Sequence, residues 1–292
     1  MTKQHFRERF EPLDWVITVI LILGALMIII PVGYMIVVSF TTAKEYTESV
    51  WLLWPKNPTL SQYAALLGDS RILVGYRTTI FYILVGVPLN IVLSSALAYA
   101  LSCQGWPGRR LVLVLVLLTM IFHGGTVPMY LLMKEYGLIN TVWAVILPNG
   151  MNTFNMILIY NYFNSLPNAL KESARIDGAS EWTVLFRIML PLAKPVIATV
   201  CLFVAVQLWN EYFHSMLFLR RADWHSLQQV LRSVVVDAQV SGTEGLSADS
   251  ARQTFSEGLK MAAVVVTMVP VVCVYPLLQK YFIKGVTIGA IK

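Results

Sequence analysis

Six long apolar runs, at residues 15–40, 78–101, 110–133, 142–162, 196–219 and 261–282, dominate the chain. Each is close to or above the ~20 residues that carry a helix across the hydrocarbon core of a bilayer. None alternates polar and apolar residues as a barrel strand would, so the pattern predicts an all-α integral membrane protein with six transmembrane helices. An even number of crossings puts both chain ends on one side. The first run is too long for the apolar core of a secretory signal and no small-residue cleavage site follows it, so it is expected to remain as a membrane helix.

The polar intervals between the runs carry the rest of the organisation. The stretch 165–195, SLPNALKESARIDGASEWTVLFRIMLPLAKP, predicts two short amphipathic helices meeting at Gly178. Ser165 is the candidate cap of the first, with Pro167 in its first turn. Ser180 is the candidate cap of the second, whose apolar positions Trp182, Leu185, Ile188 and Met189 run until Pro191 is expected to stop it. The interval 41–77 holds Trp51, Trp54, Pro55 and Pro58 and predicts an interfacial turn followed by a short helix at 61–67. The interval 220–260 predicts a turn at 242–245 and a helix from near Ser247 into the last run. The chain therefore divides into an N-terminal segment, 1–77, and a five-helix core, 78–292, that contains the loops 165–195 and 220–260.

Composition agrees with a membrane setting: 57% of residues are hydrophobic, 13% are charged and the mean hydropathy is +0.66. An ordinary soluble domain carries about 25% charged residues. The net charge of +6 is better explained by juxtamembrane lysines and arginines than by nucleic acid. Arg109 and Arg110 lie beside the tight 105–110 loop, and the basic residues of 165–195 lie in its neighbour on the same side. This pattern orients both termini and the 165–195 loop towards the cytoplasm. Cys103, Cys201 and Cys273 are an odd, widely separated set and predict neither a disulfide framework nor a metal site.

Polar side chains inside apolar runs are costly in lipid and face a cavity or another helix. The fifth run holds Gln207, Trp209, Asn210, Glu211, Tyr212 and His214. Aromatic rings stack on sugar faces while amides and carboxylates bind hydroxyls, which makes this set a candidate saccharide path. Interhelical hydrogen bonding and an aromatic belt are the competing explanation. His123 precedes Gly124, Gly125 and Pro128, which loosen or kink the third run and expose backbone groups. Asn152, at the start of the fourth run, joins the candidate path or simply caps a helix. No catalytic arrangement stands out, and four scattered histidines give no metal site. The phosphate-loop pattern G-x-x-x-x-G-K-[ST] is missing, so a partner must supply any ATP-derived energy.

The residues of 165–195 resemble the cytoplasmic loop of binding-protein-dependent ABC importer permeases. There a Glu-Ala-Ala, three residues, a Gly and a later Ile-x-Leu-Pro recur. Here these are Glu172, Ser173, Ala174, Gly178 and Ala179, then Ile188, Leu190 and Pro191, with Ser173 as the one departure. The tail from Gln279 to Lys292 is similar to the carbohydrate-importing branch. Phe122, Gly124, Gly125, Pro128, Tyr130, Trp209 and Asn210 resemble its subgroup for complex oligosaccharides, including uronic-acid-containing ones.

The resemblance implies a type I ABC importer permease fold in a bacterial inner membrane, with cytoplasmic coupling helices and no cofactor on this chain. It further implies a second homologous permease subunit, two ATPase subunits that bind ATP and Mg, and an extracytoplasmic solute-binding protein. Glu172, Ser173, Ala174, Asp177, Gly178, Ala179, Leu190 and Pro191 are then the expected ATPase-coupling residues. Gln207, Trp209, Asn210, Glu211, Tyr212, His123 and Asn152 are the expected substrate path. The alternative is a stand-alone channel or proton-coupled carrier using Glu211 and His123.

Overall fold

The computed structural model describes residues 12–48, 52–244 and 255–290, and every regular element among them is helical. The chain forms two compact units, one from residues up to Gly68 together with Val235–Val266, the other from Asp69–Val234 together with residues from Thr267 onward. The expected division after residue 77 lies inside a helix of the second unit.

The first unit begins with α1 (Pro12–Ser39), a 28-residue helix. Its apolar stretch 15–31 is exposed all round, as suits a helix whose partners are lipid or another chain. After it come α2 (Ala43–Glu48) and α3 (Ser61–Gly68), the latter in the place expected for a short outer helix. The segment is pinned by polar contacts at the end of α1. The Ser39 hydroxyl meets the Tyr63 hydroxyl at 2.7 Å, and the Gln62 amide donates to the Thr41 carbonyl at 2.7 Å. The Glu45 carboxylate takes backbone N–H groups from Lys56 and Asn57.

The second unit is built around α4 (Ser70–Ser102), a 33-residue helix. Thr78, Tyr82, Gly86, Asn90, Ser94, Ala98 and Ser102 recur every fourth residue along it, and all are buried. Small and polar residues at this spacing let neighbouring helices approach closely and bond across the contact. A Cβ on Gly86 would lie 2.7 Å from Leu208 Cδ1, and one on Gly75 would lie 2.9 Å from Leu227 Cα. Next are α5 (Arg109–Ile121), α6 (Thr126–Glu135), α7 (Trp143–Ile146) and α8 (Thr153–Ser165). The hairpin elements α9 (Ala169–Ile176), α10 (Glu181–Thr183), the π-helical Val184–Met189 and α11 (Leu190–Leu192) follow. Then come α12 (Lys194–Trp209), α13 (Phe213–Phe218), α14 (Leu227–Glu244) and α15 (Ser256–Ala290). α4 packs mainly against α8 and α12.

The membrane pattern is present but less regular than six straight rods. The helices Leu13–Ser39, Ser70–Ser102 and Ser256–Cys273 are each long and apolar enough to cross alone. The third run is split into α5 and α6, bent by 115°; Gly125, at φ +87°, makes the corner, and Pro128 cannot supply an N–H beyond it. The fifth run breaks at Asn210–Tyr212. The fourth is the 13-residue α8, about 20 Å long at 1.5 Å per residue, short of the ~30 Å hydrocarbon core.

Three local expectations are corrected. Ser165 ends α8 instead of capping the next helix, its hydroxyl turned back to the Tyr162 carbonyl at 2.7 Å. Pro191 does not stop the second hairpin helix: it sits inside α11, after a π-helical turn whose wider ring relieves the clash proline makes in an α-helix, and the break falls at Ala193. Residues 242–244, expected in a turn, finish α14, while Gly245 and Ser247 lie outside the described residues.

Candidate functional site

The hairpin is shaped by its backbone. Asp177 ends α9, Gly178 at φ +79° turns left-handed, and two bonds close the motif: Gly178 N–H to the Arg175 carbonyl and Ala179 N–H to the Ala174 carbonyl, both 3.0 Å. This is a Schellman ending, which favours glycine because an L side chain at positive φ is strained. Ser180 then caps the second helix as expected, its hydroxyl accepting the Thr183 N–H at 3.3 Å. Nothing lies within 4 Å of a Cβ added to Gly178, so the constraint there is conformational.

α9 has two distinct faces. Lys171 and Ala174 are buried, whereas Glu172, Ser173, Arg175, Ile176 and Asp177 are exposed. Of the expected coupling residues, Ala174 therefore faces its own core beside Val184 and Leu185, and Ala179 and Leu190 are partly buried against the same core. Glu172, Ser173, Asp177 and Gly178 form the outward surface with Ile176, which is 86% exposed, and Trp182, which is 63% exposed and stacks on Phe186. Pro191 is exposed on the far helix.

The inward side chains fasten the hairpin to the end of α4. Lys171 Nζ donates to the Ser102 hydroxyl at 3.0 Å and stands 5.8 Å from the centre of the Tyr99 ring. Burial holds the Lys171 ammonium below its ordinary pKa. Arg175 pairs with Glu181 through Nε to Oε1 at 2.8 Å and Nη2 to Oε2 at 3.2 Å, and the Tyr99 hydroxyl donates to the same Oε2. The Arg175 bond, then the Tyr99 bond, hold the Glu181 carboxyl below the usual carboxylate range. Arg175 Nη2 also reaches Cys103 Sγ at 3.6 Å.

The expected substrate-path residues are not gathered round one open site. Trp209 is buried, its ring 6.0 Å from that of Tyr76 and its Nε1 donating to the Thr267 carbonyl at 3.1 Å. Asn152 is a helix cap, its oxygen accepting the Asn155 N–H at 3.2 Å. Asn210 ends α12 and bonds back to the Val206 carbonyl at 2.9 Å. The Tyr212 hydroxyl donates to Met216 Sδ, and the Arg232 guanidinium lies 4.9 Å over the Tyr212 ring.

Glu211 is 6% exposed and has partners on both carboxylate oxygens: the His214 N–H at 2.8 Å, His214 Nδ1 at 3.0 Å and Asn149 Nδ2 at 3.1 Å. It thereby satisfies the His214 amide in the first turn of α13, the half-helix after the break. Asn149 is the hub of the network. It also accepts Gln207 Nε2 at 2.7 Å, and its carbonyl accepts Asn90 Nδ2 at 3.0 Å. His123 is brought beside His214 instead, in a groove of about 610 Å³ that the Gly124–Gly125 corner, Pro128 and Phe213 also line.

A model of the family described as "Binding-protein-dependent transport system inner membrane component" matches residues 8–288. The chain belongs to this family. Relatives of this inner-membrane component include Protein LplC of Bacillus subtilis (strain 168), 41% identical over 94% of this chain and 93% of that protein. The polygalacturonan/rhamnogalacturonan transport system permease protein YtcP of the same strain is 36% identical over 96% of this chain and 98% of that one. Among solved structures, a chain of a bacterial ABC transporter involved in the import of the acidic polysaccharide alginate superposes with a TM-score of 0.84. The two are 32% identical, over 94% of this chain and 99% of that one.

In this inner-membrane component, the residues that sequence reading passed over are those that tie one element to another: Lys171, Arg175, Glu181 and Tyr99 at the hairpin, and Asn149 and Asn90 at the broken run. Lys171 and Arg175 stand four apart, which alone places them on one helix face. No comparable local signal marks Asn149, whose partners beyond the Val145 carbonyl lie 58, 59 and 62 residues away in sequence.

Proposed function

We propose that the chain is the membrane subunit of an ATP-driven saccharide importer, with the hairpin 165–195 docking on an ATPase subunit. The observation that carries this reading is the division of α9. A buried Lys171 and Ala174 hold it to its own bundle, while Glu172, Ser173, Ile176 and Asp177 stand free for a partner. The family membership supplies the dependence on a binding protein. A second homologous permease and two ATPase subunits, which carry ATP and Mg, complete the assembly, and both termini and the hairpin face the cytoplasm. ATP-driven closure would turn the permease pair from inward-facing to outward-facing only if the ATPase binds those two states with different affinity.

The substrate is an acidic oligosaccharide. Relatives named for polygalacturonan, rhamnogalacturonan and alginate support this. Tyr212, Gln207, Asn210, His123 and Asn152 remain the side chains of the path that keep exposed surface.

The test is uptake by proteoliposomes holding the purified subunits and the binding protein. Oligogalacturonate should be taken up only with ATP, and Glu172→Lys should abolish uptake although the permease still reaches the membrane. Transport by the permease alone, without ATPase subunits, would establish the channel or carrier alternative instead.

A further inference from the structure

The hairpin is joined to α8 and α12 by the chain itself, and the Tyr162 hydroxyl of α8 donates to the Leu192 carbonyl at 3.1 Å. Its tie to α4 is different. Tyr99 and Glu181 are 82 residues apart, and Lys171 and Ser102 are 69 apart. Beside this tie lies a groove of about 670 Å³, with Ala96, Tyr99, Ala100 and Cys103 on the α4 wall and Trp182 and Leu185 on the hairpin wall. Arg175 and Glu181 close its edge. Movement of the hairpin relative to α4 is therefore opposed there by a charged pair and a hydroxyl across an open gap.

We propose that Arg175, Glu181 and Tyr99 form a latch that makes the hairpin and the end of α4 move as one body, and so sets how much transport each ATP hydrolysed delivers. The proposal rests on the hairpin being the docking element. Glu181 is the centre: it accepts from Arg175 across the glycine corner and from Tyr99 across the groove, so one carboxylate fixes both the angle of the hairpin and its seat on α4. A charge-assisted pair is directional as well as strong, which suits a part that must transmit a rotation. Lys171 adds a second strut to the same turn of α4 through Ser102. Because α4 carries the buried face against α8 and α12, a displacement of its end is passed into the bundle as a whole. These are positioning residues, remote from the saccharide.

The complete importer with its binding protein, in proteoliposomes, tests the latch by measuring ATP hydrolysis and oligogalacturonate uptake together. Tyr99→Phe and Glu181→Gln should assemble normally and keep binding-protein-stimulated ATP hydrolysis near the wild-type rate. Uptake per ATP should fall about ten-fold, the size of an ordinary coupling free energy. Parallel loss of hydrolysis and uptake would mean that the residues serve only to fold or dock the hairpin. An unchanged ratio would mean that the latch is idle. Either result overturns the proposal.

A second readout needs no saccharide. In a Cys201→Ser/Cys273→Ser background, maleimide labelling of Cys103, which touches Arg175, should change on ATP binding. It should lose that dependence in Glu181→Gln; retained dependence in that variant overturns the latch as well. Docking is judged separately by Glu172→Lys: if that variant transports normally, the docking assignment fails whatever the latch variants do.

Discussion

The two ends of the second unit handle charge in opposite ways. At the hairpin, Glu181 and Arg175 are partly exposed, with side chains 55% and 43% accessible, and their pairing bridges separate elements across a groove. At the broken fifth run, Glu211 is 6% exposed and its partners surround it completely. An exposed pair contributes little stability, commonly below about 1 kcal/mol, and can be broken and remade within a cycle. A buried carboxylate stripped of its partners costs several kcal/mol, so it must stay bonded in every state. The hairpin end thus carries a pair that can open and re-form, and the Glu211 end a carboxylate that holds a broken helix in place.

The sharpest way to break this contrast is at the corner of the hairpin. Gly178→Val should abolish uptake, because a β-branched residue at φ +79° carries about 1–2 kcal/mol or more of strain and would be relieved by re-aiming α9. Gly178→Asn, which tolerates that region, should keep measurable uptake. Next in size is Glu211→Ala, which strands Asn149 and the His214 amide. It should lower the unfolding midpoint and the amount of permease in the membrane by about 3–5 kcal/mol worth of stability, while Glu211→Gln loses less. A variant Glu211→Ala of normal abundance but altered saccharide preference would reverse the assignment.

Trp209→Phe should cost about 1 kcal/mol, the loss of one indole bond to Thr267, and leave the apparent affinity for saccharide unchanged. Asn152→Ala should be smallest, about 0.5 kcal/mol, the low end for a lost cap, with transport specificity intact.

The pH dependence separates the two ends once more. Glu181 is held below the usual carboxylate range, first by Arg175 and then by Tyr99. A depressed carboxyl contributes fully above its unfolded pKa and loses that contribution only as pH falls through the folded one. Uptake per ATP should therefore be flat from about pH 6 to pH 8, and a decline within that window would point to a histidine instead.

What could be read from the sequence follows from how far apart the interacting residues lie. The hairpin was legible because its corner, its second cap and its outward residues all fall within 165–195, where Gly178, Ser180 and the exposed positions of α9 each leave a local mark. Its N-terminal boundary was misplaced because Ser165 is an equally good residue for ending α8, where its hydroxyl finds the Tyr162 carbonyl. Pro191 misled because the π-helical turn before it accommodates a residue that an α-helix would not. The polar set around Glu211 was visible as costly side chains in an apolar run. Its division into network and groove was not, since Asn149, Gln207, Asn90 and His123 meet only through tertiary packing. Trp209 bonds to the Thr267 carbonyl and Asn152 caps α8.

The every-fourth seam of α4 has a mechanical meaning. From Thr78 to Ser102 its short side chains let neighbouring helices come close, while Tyr82 bonded to the Trp224 carbonyl, Asn90 bonded to the Asn149 carbonyl and Gly86 filled by Leu208 fix its register. α4 is thus pinned at three points along one face, so a load placed on its end at Tyr99 would turn the helix together with its neighbours instead of sliding it past them.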